Sequence, residues 1–125
     1  VHKKIYFWAA FFWCSVISFF CLVQLNNVPL GNVSNVDKLV HAFFHFILTT
    51  LCFLFLKNEV KDSKSLKPVV FAFLFSLLFG IAIEIVQGLF TATRQSDVFD
   101  VLANISGALL SIILITLFRM FRKTT

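Results

Sequence analysis

The sequence predicts an all-α, polytopic membrane protein, with four transmembrane helices packed into one compact bundle. Two observations carry this. Hydrophobic residues fill 59% of the 125 positions against 14% charged, far beyond what a soluble core of this size requires, and mean hydropathy is +0.92. The apolar residues also gather into four runs, Ile5 to Val23, Leu39 to Leu56, Val69 to Phe90 and Val101 to Phe118. Each run is at or near the roughly 20 residues that cross a bilayer. Residues 1–125 are therefore read as a single membrane domain, and the 18 Phe, spread through the runs, as lipid-facing and packing surface.

The first run follows His2, Lys3 and Lys4 and has the charge pattern of a signal peptide. Its 19 residues exceed a signal core and no A-x-A-like site follows at Gln24 to Asn27, so a retained helix is expected. Ahead of the second run, Ser34-x-x-Asp37 has the form of a capping box. Within that run Asp37, His41 and His45 recur every four residues, which at 3.6 residues per turn places them on one slowly drifting face. Lys38 lies three before His41. A polar stripe of this kind has no reason to face lipid. The two His have a spacing that also suits a metal, but H-E-x-x-H is lacking. No cofactor is expected on these grounds; were a metal ion bound, His41, His45 and Glu84 would hold it.

Pro68 suits the first turn of the third helix. Further along, Gly80 and Gly88 flank Glu84 at four-residue spacing, as in small-xxx-small packing, and Gln87 stands one turn above Glu84. A carboxylate about 10 Å from the end of its span must be paired, hydrogen-bonded, protonated or wet. For the fourth helix, Asp97 is the candidate cap. Asp97, Asp100, Asn104 and Gly107 share one face at 3-4-3 spacing, and Ala103, Gly107 and Ser111 continue a strip of small residues.

Orientation follows the basic residues. Nine of the 11 Lys and Arg flank the N-terminus, the loop from Lys57 to Lys67 and the C-terminal tail, leaving only Lys38 and Arg94 for the other two loops. The positive-inside rule puts both termini in the cytoplasm and Gln24 to Val36 and Thr91 to Ser96 outside. The net charge of +5 is absorbed by topology and anionic headgroups, so no nucleic-acid partner is expected. Cys14, Cys21 and Cys52, all inside apolar runs, are read as small buried hydrophobes without a disulfide framework.

Counting helical rise from the outer ends of the runs predicts three tiers. His45, Glu84 and Asn104 lie deepest, His41, Gln87 and Asp100 one turn higher, and Asp37, Lys38, Arg94 and Asp97 at the rim. Polar residues from three helices converging at one end predict a functional pocket on the outer face.

The three segments D-K-L-V-H (Asp37 to His41), E-I-V-Q (Glu84 to Gln87) and R-Q-S-D-V-F-D-V-L-A-N-I-S-G (Arg94 to Gly107) together resemble the VanZ-like family of small bacterial membrane proteins. The likeness covers the last three spans. Its polar signature falls on Asp37, Lys38, His41, Glu84, Gln87, Arg94, Asp97, Asp100, Asn104 and Gly107, with His45 outside it. Ala42 stands where an aromatic is expected and Ser111 where a further Gly is common. The family takes its name from a glycopeptide-resistance cluster, whose member is associated with lowered sensitivity to teicoplanin. The resemblance implies a multi-pass protein of the bacterial cytoplasmic membrane that acts on, or recognises, a lipid-linked envelope precursor or a lipoglycopeptide.

Two mechanistic classes fit the residues. In an enzyme, Glu84 or His41 is the general acid or base, Asp97 and Asp100 orient, and Lys38 and Arg94 hold a phosphate or carboxylate. No G-x-S-x-G elbow and no Cys in the polar tier offers a nucleophile. In a binding protein, Lys38, Arg94, Asp37, Gln87, Asn104 and His45 form a fixed network that recognises a headgroup without turnover. A small transporter is the third reading, and it needs a polar path through the inner half, where the sequence offers little beyond Thr49, Thr50, Ser76 and Thr116.

Overall fold

A computed structural model describes residues 2–22, 34–59, 65–90 and 98–123, with side chains described from residue 4 in the first segment, from residue 38 in the second and up to residue 122 in the last. It contains four helices, α1 (His2–Leu22), α2 (Ser34–Glu59), α3 (Lys67–Phe90) and α4 (Val98–Lys123), and each is long and apolar enough to cross a membrane. The predicted all-α bundle of membrane-spanning helices is the observed one.

All four helices start before the predicted spans, and α2 and α4 also end beyond them, because an apolar run marks hydrocarbon, whereas a helix continues for as long as its backbone bonds stay internal. The α2 helix starts at Ser34, where the predicted capping box begins, and ends at Glu59 with Lys57 in its last turn, favourable to the macrodipole. Pro68 lies in the first turn of α3 as predicted, and the Ser65 hydroxyl accepts a hydrogen bond from the Lys67 amide (3.2 Å), capping that helix. At the other end of α4, Arg119 and Arg122 lie over the rings of Phe53 and Phe118, so their stems extend the helix along apolar surface.

Helices consecutive in the chain alternate in direction. Lys38 meets Asp100 near the starts of α2 and α4, and Thr50 meets Ser111 halfway along both, so these two helices are parallel. Arg119 near the end of α4 reaches Ser65 just before α3, and Gln87 near the end of α3 reaches Cys21 at the end of α1. Among the described residues α2 touches every other helix, most extensively α4.

The core shows why. On α3 the buried residues Ala72, Ser76, Gly80 and Glu84 recur every four positions, and on α4 Asp100, Asn104, Ala108 and Ser111 do nearly the same. Small side chains on these stripes bring backbones close, the main attraction between helices in lipid. At Gly107 the approach is closest. An added Cβ would overlap the Ala42 carbonyl oxygen and lie 2.7 Å from its carbon. Gly107 thus lets the α4 backbone rest on the α2 backbone at Ala42 across the α2–α4 seam.

The apolar core of Ile17, Cys21, Phe44, Leu48, Cys52, Phe53, Val69, Ala72 and Ile83 joins α1, α2 and α3. None of the three cysteines forms a disulfide. Trp13 ties α1 to α2 by donating from Nε1 to the Phe44 carbonyl (2.8 Å). Phe11, Phe12, Phe19, Phe71 and Phe118 are among the large apolar side chains that stay exposed on the bundle, as a lipid-facing belt requires.

Candidate functional site

The polar residues converge where the starts of α2 and α4 meet the last turns of α3. His41 from α2, Glu84 from α3 and Asp100 from α4 are 3%, 4% and 5% exposed. One ligand atom from each lies within 4.8 Å of those from the other two. Lys38, one turn before His41, places its ammonium 2.6 Å from Asp100 Oδ1, and its side chain keeps 28% of its surface open. Asp100 Oδ2 faces His41 Nε2 at 3.7 Å. The carboxylate of Asp100 is thereby shared between a cation on one side and an imidazole on the other.

One turn deeper, Gly80 replaces a side chain with space. A Cβ there would lie 2.8 Å from Asn104 Nδ2 and 3.0 Å from His45 Cε1. The backbone of α3 therefore presses directly on the side chains of α2 and α4, and this contact holds the three helices in register.

That register differs from the predicted tiers. His45, Gly80 and Asn104 share the deep level, and Glu84 stands with His41 and Asp100 one turn above. Counting from the outer ends of the apolar runs treats those ends as flush, and α3 extends farther beyond its polar residues than α4 does, which starts only two residues before Asp100. Glu84 is correspondingly nearer the outer end than predicted.

His45 is separated from the three clustered groups. Its Nδ1 shares a hydrogen bond with Ser76 Oγ (2.8 Å) inside the bundle, so the donor set brought together here is His41, Glu84 and Asp100, not the predicted His41, His45 and Glu84. Gln87 donates from Nε2 to the Cys21 carbonyl at 2.6 Å, tying α3 to the end of α1. Asn104 is buried, and its Oδ1 has no hydrogen-bond partner among the described residues. Asp37 belongs to α2, but its side chain lies outside the described residues, as do Arg94 and Asp97 altogether.

Sequence reasoning passed over Ser76 as a partner for His45. The available signal was its place on the stripe Ser76, Gly80, Glu84, four residues apart. It also passed over the bond between Thr50 Oγ1 and Ser111 Oγ (2.7 Å). Both residues line a cavity of about 480 Å³ toward the opposite end of the bundle, with Phe53, Lys57, Pro68 and Arg119 also on its walls. The described cavity and the clustered acid, base and ammonium groups are therefore separate features of the molecule.

Chemically, the cluster offers two carboxylates and an imidazole, held by three helices and shielded from lipid, with an ammonium at its edge. This set can move a proton, bind a cation or pair with an anion that displaces part of the Lys38–Asp100 contact.

Comparison with known proteins gives no match among curated proteins and none among solved structures. A family model described as VanZ/LLP1 matches residues 3–119, which spans all four helices and includes every residue of the polar cluster. On that match the chain, a multi-pass membrane protein, belongs to the VanZ/LLP1 family.

Proposed function

We propose that the cluster formed by Lys38, His41, Glu84 and Asp100 recognises, or acts on, the anionic headgroup of a lipid-linked or lipidated component of the bacterial envelope, and so alters susceptibility to lipoglycopeptides such as teicoplanin. The observation that carries this reading is Lys38, a partly open ammonium 2.6 Å from a buried carboxylate. A cation so placed can turn from Asp100 to a phosphate or carboxylate with little loss, since the two acceptors are chemically alike. Arg94, on the same outer face by sequence, is proposed as its partner in headgroup binding, because guanidinium suits bidentate contact with either anion.

The distribution of Lys and Arg supports the accompanying topology. Both termini face the cytoplasm and the cluster opens to the outer side of the cytoplasmic membrane.

Whether the site turns over is decided at Glu84. In the catalytic reading Glu84 or His41 transfers a proton while Lys38 holds the headgroup. In the binding reading the same groups form a fixed network, a view favoured by the mutual pairing of Lys38, Asp100 and His41. Glu84→Gln keeps shape and hydrogen-bonding capacity but removes the acid. Expressed at wild-type level in a sensitive host, the variant loses protection against teicoplanin and keeps its melting temperature in detergent if Glu84 is catalytic, whereas a lowered melting temperature is the expected result if Glu84 is a pairing partner in a fixed network. Full protection from a stably folded Glu84→Gln protein would eliminate acid–base chemistry and leave recognition alone. Absence of any protection by the wild-type chain, together with no retention of anionic lipid by native mass spectrometry, would overturn the headgroup reading itself.

A further inference from the structure

We infer that His41, Glu84 and Asp100 form a binding site for one divalent transition-metal ion of the zinc type. The site stands on geometry independent of the headgroup reading. Its three donors come from three helices, all are at least nine-tenths buried, and one ligand atom from each falls within 4.8 Å of the others. The separation of His41 Nε2 from Asp100 Oδ2 is 3.7 Å. That is longer than the roughly 2.7–3.2 Å of a hydrogen bond. It is close to the edge of a tetrahedron whose corners lie about 2.1 Å from a central zinc, which is about 3.4 Å.

Small rotations of Glu84 complete the third corner, leaving the fourth open, as in zinc sites that keep a position for water or substrate. One imidazole with two carboxylates is a mixed donor set that suits zinc, manganese or iron better than magnesium or calcium, which favour oxygen alone.

The surroundings supply the supporting groups that such sites use. Lys38 holds Asp100 by Oδ1, so that Oδ2 is the oxygen turned to His41. A partner on the far oxygen fixes the orientation of a ligating carboxylate. One turn below Asp100, the buried Asn104 Oδ1 has no hydrogen-bond partner among the described residues and is an acceptor available to a water carried by the ion. Gly80 brings α3 against Asn104 and His45, which sets the height of Glu84 relative to the other two ligands. His45, whose Nδ1 is bonded to Ser76, is not among the residues whose ligand atoms fall within 4.8 Å of one another.

The test uses the full chain, untagged, in detergent micelles, stripped by a chelator and dialysed against zinc or cobalt. Elemental analysis of the zinc-loaded wild type is expected to give about one ion per chain, as a site with a single set of ligands requires. The cobalt form is expected to show visible d–d bands and no near-ultraviolet thiolate band, which separates this site from Cys14, Cys21 or Cys52. Asp100→Asn and His41→Gln are each expected to weaken binding by at least tenfold, the lower bound for losing even a supporting group. Since either variant can fail to fold, the wild-type cobalt spectrum and metal content stand by themselves. A folded wild-type protein that retains no metal above protein-free micelles overturns the proposal. So does a cobalt spectrum of the thiolate type, or unchanged affinity in both folded variants.

Discussion

Asp100 is buried between Lys38 and His41, whereas the Lys38 side chain is partly open, and the difference sets how each responds to substitution. In Asp100→Asn the ammonium loses its carboxylate but can turn toward water or headgroups, because 28% of the Lys38 side chain is already open. In Lys38→Met the carboxylate stays 5% exposed, with the His41 imidazole at 3.7 Å and the Glu84 carboxylate in the same cluster. A buried neutral acceptor deprived of its donor costs about 1 to 3 kcal/mol, and a charged one costs more. Lys38→Met is therefore expected to lower the melting temperature in detergent more than Asp100→Asn does, and the opposite order would show that Lys38 does not stabilise this carboxylate.

Two glycines mark different kinds of helix contact, and substitution separates them. Gly107 faces a backbone carbonyl, which cannot rotate out of the way, so Gly107→Ala must push α4 from α2. Overpacking of this kind costs about 1 to 3 kcal/mol, and a clear drop in thermal stability is expected. Gly80 meets the ends of the Asn104 and His45 side chains, which can move. Gly80→Ala should cost less stability and instead disturb the polar cluster, read as a loss of cellular phenotype in a protein that still melts near the wild-type temperature. Equal destabilisation by both would contradict this distinction. The same contacts explain what the sequence could and could not reveal. Four helices were legible because each apolar run has membrane length, and the polar faces because His41 and His45, or Asp100 and Asn104, keep helical spacing. The alignment of α3 against its neighbours was not legible, because spacing within one helix carries no information on how far it slides past another. Gly80 fixes that offset through contacts with side chains on two other helices, and it moves Glu84 up one turn to join His41 and Asp100.

The molecule as a whole is polarised, with the acid, imidazole and ammonium cluster at one end and a cavity bordered by Lys57 and Arg119 at the other. The basic end is expected in the cytoplasm. In whole cells a single cysteine at position 32 should react with an impermeant maleimide, whereas one at position 61 should react only after lysis. The reverse pattern would turn the molecule over and move the cluster to the inner leaflet. The parallel seam between α2 and α4 has a further bearing on how the protein is made. Synthesis delivers α2 and α3 to the membrane before α4, yet α2 makes its most extensive contact with α4. Until α4 emerges, His41 and Glu84 are in the bilayer without Asp100, and the backbone groove at Ala42 awaits Gly107. Closing that groove thus follows insertion of α2 and α3, and it brings the third polar arm in with it. A nascent chain stalled after Phe90 would present two incompletely shielded polar groups to lipid, the kind of exposed feature by which membrane quality control distinguishes an unfinished bundle from a complete one.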